Sequence, residues 1–162
     1  MSEPARRHRL TLLLLALALL AAGSAPAARE PVQHVVYHIN AASAERQMYA
    51  LRNIRNHLAA AGPGGVEIRV VLQGRGIGML VLPEALPHLR GLSSANGSPQ
   101  MLAMVDGLRD QGVRFLVCGN SLRRYGVDPE EDLHNVEPFD IVPSGVIALA
   151  ELQQRGYAYI KP

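Results

Sequence analysis

Apolar residues recur along this chain in two alternating patterns: short β-branched runs and longer stretches with helical spacing. The run VQHVVYHIN predicts a first strand that meets a turn at Asn40, and VEIRVVLQG predicts a second. Between them, Ser43 stands where a helix cap belongs. Apolar residues then follow at helical spacing until AGPGG stops the helix: Met48, Leu51, Ile54 and Leu58.

The second half of the chain continues the alternation. Ser98 and Pro99 begin a helix in the favoured order of cap and then proline, and Gly112 ends it. VRFLVCG is nearly continuous in apolar residues, which is typical of a strand covered on both faces, and a short helix follows near NSLRRYG. FDIVP predicts a fourth strand, Ser144 caps a helix that Gly156 ends, and YAYIK predicts a fifth strand.

Two segments are less regular. Between Gly74 and Ser98, glycine, proline and apolar runs are mixed, so we expect a short helix and a long surface loop. DPEEDLHNVEP predicts a loop with one helical turn begun by Asp128 and Pro129, in which DPEED is a solvated acidic turn. Strands and helices otherwise alternate throughout. The order predicts an α/β fold: a flavodoxin-like layered domain with a five-stranded, mainly parallel sheet and helices on both faces.

The first residues are typical of an export signal. Arg6, Arg7 and Arg9 precede the apolar run LTLLLLALALLAA, which is shorter than a membrane-spanning helix, and Ala25-Pro26-Ala27 offers a small-x-small cleavage site. We expect residues 1–27 to be a cleaved signal peptide, residues 28–162 to be a single domain, and the mature protein to be periplasmic. An uncleaved membrane anchor is the alternative interpretation.

Cleavage changes the net charge, and the presence of a single cysteine limits the disulfide chemistry. The leader holds three of the 16 basic and one of the 14 acidic residues, which leaves 13 of each in the mature chain. The sequence pI of about 9.0 therefore gives no support for a nucleic acid partner, and we expect no stable membrane insertion. Cys118 is the single cysteine of the chain, so no internal disulfide can form.

The candidate site follows from the predicted sheet, because ligands of open parallel sheets bind outside the carboxyl ends of the strands. Residues at four such ends are candidates for a shared binding cleft: Asn40, Gln73, Gly74, Gly119, Asn120, Ser144 and Gly145. Cys118 is the candidate catalytic residue. It directly precedes a predicted helix start, where backbone N–H groups stabilise a thiolate, and Arg123 and Arg124 add positive potential. Burial as a small apolar residue is the alternative role for this cysteine.

Other chemistry has weaker support. In GRGIG the third glycine of the dinucleotide fingerprint is displaced by Met79, so a phosphate site is less favoured than a flexible loop. His34 and His38 lie roughly 13 Å apart on a strand, too far to share one metal ion. We therefore predict no metal site and no cofactor. A flavin is also disfavoured, because GRGIG lacks a hydroxyl-rich phosphate loop.

FLVCGNSL and the C-terminal block IVPSGVIALAELQQRGYAYIKP closely resemble the DsrE/DsrF-like family, in particular its exported, small single-domain members. HVVYHIN and AERQMYALRNIRNHL are similar to the first strand and helix of that family. The resemblance runs from about Val32 to Pro162. It implies a five-stranded, mainly parallel sheet, homo-oligomers such as trimers or hexamers, and sulfur relay in which a cysteine carries a persulfide.

The position that matches the relay cysteine of the family is Cys118. The resemblance thus implies an exported sulfur-handling protein, a sulfurtransferase-like carrier rather than a turnover enzyme, with a sulfur donor or acceptor protein as partner. The alternative is a non-catalytic module, oligomeric or binding a small ligand, in which the cysteine is structural.

Overall fold

The computed structural model describes residues 32–162, so the predicted leader lies outside the described residues. The expected five strands are present: β1 (Gln33–Ile39), β2 (Val66–Leu72), β3 (Arg114–Cys118), β4 (Ile141–Val142) and β5 (Ala158–Ile160). All four strand pairings are parallel. The flavodoxin-like α/β architecture predicted from the sequence is confirmed.

Four α-helices connect or follow these strands: α1 (Ala44–Ala61), α2 (Pro99–Arg109), α3 (Gly119–Tyr125) and α4 (Gly145–Gln154). The predicted caps of the first two are confirmed, because the hydroxyls of Ser43 and Ser98 accept hydrogen bonds from the first helical turn. Ser144 precedes α4 but its side chain makes no capping bond. Among the described residues, no helix combines the length and apolarity that crossing a membrane requires.

The strand order β4-β3-β2-β1-β5 explains which face each helix covers. From β1 to β4 the chain moves in one direction across the sheet, and it then returns to place β5 beside β1. Because crossovers between parallel strands are right-handed, α1, α2 and α3 share one face and α4 covers the other. We call these the three-helix face and the α4 face.

The buried clusters agree with this arrangement. On the three-helix face, strand residues such as Val35, Val70 and Phe115 pack with Leu51 of α1 and Val105 of α2. On the α4 face the cluster is much smaller and consists of five buried residues: Val36, Val71, Leu149, Leu152 and Tyr157. Alternate residues of one strand, such as Val35 and Val36, thus belong to different cores.

The expectation of a long surface loop between Gly74 and Ser98 is wrong for much of this segment. It forms two 3₁₀ helices, Gly74–Met79 and Pro83–His88, and Gly76 to Val81 are all buried. Long-range backbone hydrogen bonds hold it, including Asn96 N–H to Gly78 O and His134 N–H to Leu80 O. A Cβ at Gly76 would lie 2.1 Å from Ile39 O, so close packing leaves room only for glycine at this position of GRGIG.

Two further expectations need correction. Within the predicted solvated acidic turn, Asp132 is buried and accepts hydrogen bonds from His88 Nε2 at 2.9 Å and from Asp128 N–H at 2.8 Å. FDIVP is not a strand throughout: Pro138–Asp140 form a 3₁₀ turn, and only Ile141–Val142 pair with β3. Pro138, at the start of this 3₁₀ turn, has no N–H to donate to a sheet ladder, which favours a turn there.

Candidate active site around Cys118

The ends of β3 and β4 form a topological switch point. The chain leaves β3 through α3 toward the three-helix face, and it leaves β4 through α4 toward the opposite face. Neighbouring strands whose connections diverge in this way open a crevice between them, the usual ligand position in open α/β sheets. Cys118 is the last residue of β3 and lies at this crevice.

Cys118 lies directly beneath the start of α4. The Gly145 backbone N–H donates a hydrogen bond to Cys118 Sγ at 3.2 Å. A Cβ on Gly145 would lie 3.2 Å from Cys118 Cβ and 3.3 Å from both Gln73 Cβ and Val71 Cγ1, so glycine is the residue that allows this approach. The helix N-terminus is therefore held against the sulfur by packing.

The surroundings favour the thiolate. Burial raises the pKa of the Cys118 thiol, but hydrogen bonds from the Ser121 hydroxyl and from the N–H groups of Gly145, Ser121 and Asn120 lower it further than burial raises it. The net result is a pKa below the ordinary value of a cysteine. A lowered pKa increases the fraction of nucleophilic thiolate near neutral pH.

Ser121 is itself held in place. The Gly74 N–H donates to Ser121 Oγ at 2.8 Å, so the hydroxyl oxygen is occupied as an acceptor and its hydrogen is free to turn toward the sulfur. This bond links the chain segment after β2 to the first turn of α3. The Cys118 environment therefore depends on three strand ends.

A cavity of about 290 Å³ opens above the sulfur. Its lining combines polar groups with one exposed apolar side chain: Gln73, Gly74, Cys118, Asn120, Ser121, Arg124, Tyr125, Ser144 and Val146. Cys118 is only 2% exposed, so the cavity is its route to other molecules. The Arg124 guanidinium forms no ion pair with any described residue, which leaves the cavity with positive potential.

The structure brings most of the sequence-predicted residues together. Gln73, Gly74, Asn120 and Ser144 line the Cys118 cavity, and Gly145 contributes its N–H group. Two predicted residues, Asn40 and Gly119, lie elsewhere. The shared strand edge thus assembles residues that are up to about 70 positions apart in the chain.

Asn40 and Gly119 are the exceptions. Asn40 is exposed and does not line the cavity, because β1 is separated from β3 by β2 and its following segment turns toward the three-helix face. Gly119 faces a different groove, on the other side of α3. Its neighbour Asn120 remains in the Cys118 cavity.

Sequence reasoning missed three contributors: Ser121, Tyr125 and Val146. A helix-spacing argument could have found the first two, because Ser121 and Tyr125 lie four apart on α3. The sequence-based prediction also left His38 out of the site. The pKa of His38 is lowered by burial and by the charge of Lys161, and raised less by the nearby side chain of Gln73, which lines the cavity.

The histidines of the described residues have other partners. His34 pairs with Glu67 at 3.0 Å, His38 Nδ1 bonds to Tyr159 Oη at 2.8 Å, and His134 pairs with Asp106 at 2.8 Å. Within residues 32–162, no three His, Cys, Asp or Glu side chains group in a way that could hold a metal ion.

Comparison with known proteins identifies one family. The model of the DsrE/DsrF-like family matches residues 13–162, nearly the whole chain, so the chain belongs to that family. No curated protein matches the sequence. Membership implies a role of the sulfur-relay type in general.

Proposed function

We propose that this member of the DsrE/DsrF-like family is an exported carrier that takes up sulfur on Cys118 as a persulfide and passes it to a second thiol. The observation that carries the proposal is the hydrogen bond from Gly145 N–H to Cys118 Sγ at the floor of an open cavity. A buried filler cysteine needs neither a cavity nor donors that lower its pKa.

The proposed transfer is a thiol exchange that balances without an added oxidant. The Cys118 thiolate attacks the outer sulfur of a donor persulfide, R–S–SH. A bond forms between the two sulfurs, the S–S bond of the donor breaks, and the donor leaves as the thiolate R–S⁻. Delivery repeats the step in the other direction: an acceptor thiolate takes the outer sulfur and releases the Cys118 thiolate.

The cavity residues have matching roles in this proposal. The N–H groups around Cys118 stabilise negative charge on its sulfur before attack and after delivery. Arg124 stabilises the departing thiolate R–S⁻, and Asn120 and Ser144 are polar groups that can bond to the outer sulfur or to that thiolate. A cavity of about 290 Å³ has room for one extra sulfur and the end of a donor side chain.

Export and assembly complete the proposal. The protein acts in the periplasm after cleavage following Ala27, and it works as a homo-oligomer, a trimer or a hexamer, that meets a donor or acceptor protein. Exposed apolar side chains support a protein contact near the site, because Val146 at the cavity rim and its neighbour Ile147 are 60% and 57% exposed. A native mass measurement of the mature protein tests the subunit number.

The direct test is sulfur loading. The reduced protein is incubated with a small-molecule persulfide, and the Cys118 peptide is analysed by mass spectrometry. We expect the mass to increase by one sulfur atom and to return to its original value when an acceptor thiol is added. Cys118→Ala is the control. A wild-type protein that gains no sulfur, while an unfolded sample does, would contradict the carrier role.

A second candidate is a non-catalytic module in which the same cavity binds a small ligand and Cys118 only packs. The 2% exposure of Cys118 favours this alternative. It predicts that Cys118→Ala keeps any ligand-induced rise in melting temperature, because the ligand contacts come from Gln73, Asn120 and Arg124. Loss of that response in the variant would support the carrier instead.

A further inference from the structure

A second groove lies on the other side of α3 from the Cys118 cavity. It has a volume of about 410 Å³, and its floor is apolar, formed by Leu122, Val127 and Ile141. Arg90 and Arg123 line the same groove. The sequence-based expectation that Arg123 adds positive potential at Cys118 is wrong, because Arg123 lines this groove and only Arg124 lines the Cys118 cavity.

Each arginine is packed over a glycine at one end of α3. A Cβ at Gly126 would lie 3.0 Å from Arg90 Nε, and a Cβ at Gly119 would lie 3.4 Å from Arg123 Nη1. Gly126 also has φ +69°, so glycine serves both the helix end and the approach of Arg90. The two glycines are seven residues apart, roughly 10 Å along the helix, so the two arginines reach opposite ends of α3.

The two guanidinium groups have no acidic partner among residues 32–162. None of the ion pairs in the described part of the chain includes Arg90 or Arg123. Asp128 and Glu130 flank Pro129 of the groove but pair with neither arginine. Arg123 donates to Asn120 Oδ1, which orients it without neutralising it.

We propose that this groove binds a small organic dianion, with one acidic group on Arg90, the other on Arg123, and an apolar spacer between them. Guanidinium groups bind carboxylates in a bidentate manner, and the apolar floor between two cationic ends selects length as well as charge. A ligand with a single acidic group satisfies only one end. The groove is separate from the cavity that Cys118 lines.

Isothermal titration calorimetry with the linear dicarboxylate sebacate tests the proposal at low salt. We expect sebacate to bind about tenfold more tightly than decanoate, the monoanion of the same chain length, because one charged contact is worth at least that factor. Arg90→Gln and Arg123→Gln should each weaken sebacate binding about tenfold and leave decanoate within a few-fold. Melting temperatures of both variants verify that they fold.

Arg55→Gln is the matched control, because it removes the same charge from an exposed residue of α1 outside the groove. It should leave sebacate binding unchanged. Equal affinity for sebacate and decanoate would overturn the proposal, because the second acidic group would then make no favourable contact. An equal loss in Arg55→Gln and in the two groove variants would also overturn it, because the effect would then be one of net charge.

Discussion

The hydrophobic core is deep on one face of the sheet and shallow on the other. The three-helix face buries a large core under α1, α2 and α3, whereas the α4 face buries five residues under one helix. Cys118 belongs to the shallow side, where the first residue of α4 contacts its sulfur. The deep core supplies the stability of the fold, and the shallow face leaves a reactive group within reach of solvent.

The largest expected effect separates the faces by stability. Leu51→Ala on the three-helix face should lower the free energy of unfolding by about 3–5 kcal/mol, because Leu51 is fully buried and its removal leaves a cavity. Leu152→Ala on the α4 face should cost about 2–3 kcal/mol, because the shallow cluster can relax around the gap. Urea unfolding measures both values. Equal costs would contradict the difference in depth.

Gly145→Val should disturb the shallow face and the thiol together. The added side chain collides with Cys118, Gln73 and Val71, so we expect a loss of about 1–3 kcal/mol in unfolding free energy. Because the Gly145 N–H moves away from Sγ, the pKa of Cys118 should rise toward its ordinary value. Alkylation rates as a function of pH report the pKa. Gly107→Val is the control, since a Cβ there meets no atom within 4 Å.

Ser121→Ala should have a smaller effect on stability and a clear effect on the thiol. Removing the hydroxyl leaves Gly74 N–H without its acceptor, which should cost about 1 kcal/mol. The pKa of Cys118 should rise, so its alkylation curve moves to higher pH. Ser121→Thr keeps the hydroxyl and should restore most of the shift. No change in the curve for Ser121→Ala would mean that this hydroxyl does not stabilise the thiolate.

The smallest expected effect is a pH-dependent contribution to stability from Cys118. The pKa of Cys118 is lowered in the folded state, and the ordinary value of 9.0 applies after unfolding. At pH values between these two pKa values, the unfolded chain therefore holds the proton more tightly. The free energy of unfolding should therefore rise with pH through this window. The contribution of Cys118 is fully present above pH 9.0 and is lost as pH falls through the lowered pKa. Cys118→Ser, measured in parallel, should lack this slope; the same slope in both proteins would assign it to other groups.

Much of the fold could be predicted because its signals are local. The β-branched runs, the caps at Ser43 and Ser98, and the glycines after each helix act within a few residues. The segment from Gly74 to Ser98 could not be predicted in this way. Its burial depends on backbone bonds to distant carbonyls and on the approach of Gly76 to Ile39, and no local pattern encodes either.

The candidate site could be predicted from the sequence to a similar extent. Gln73, Cys118 and Ser144 lie at or just beyond the ends of strands, so their common edge could be inferred from parallel pairing alone. Asn40 shares that edge but not the cavity, because the order of the strands decides which ends are neighbours. The position of Gly119 could not be predicted from strand pairing either, since the first turn of α3 rotates it to the opposite side.

The most direct measurement is iodoacetamide labelling of native Cys118 at graded pH, read by mass spectrometry of its peptide. The proposed function predicts that the folded protein reacts through the cavity, with a midpoint below the ordinary thiol pKa of 9.0, and that unfolding moves the midpoint up to that value. A cysteine that reacts only after denaturation would contradict the account, because it would then be a packed side chain and not a sulfur carrier.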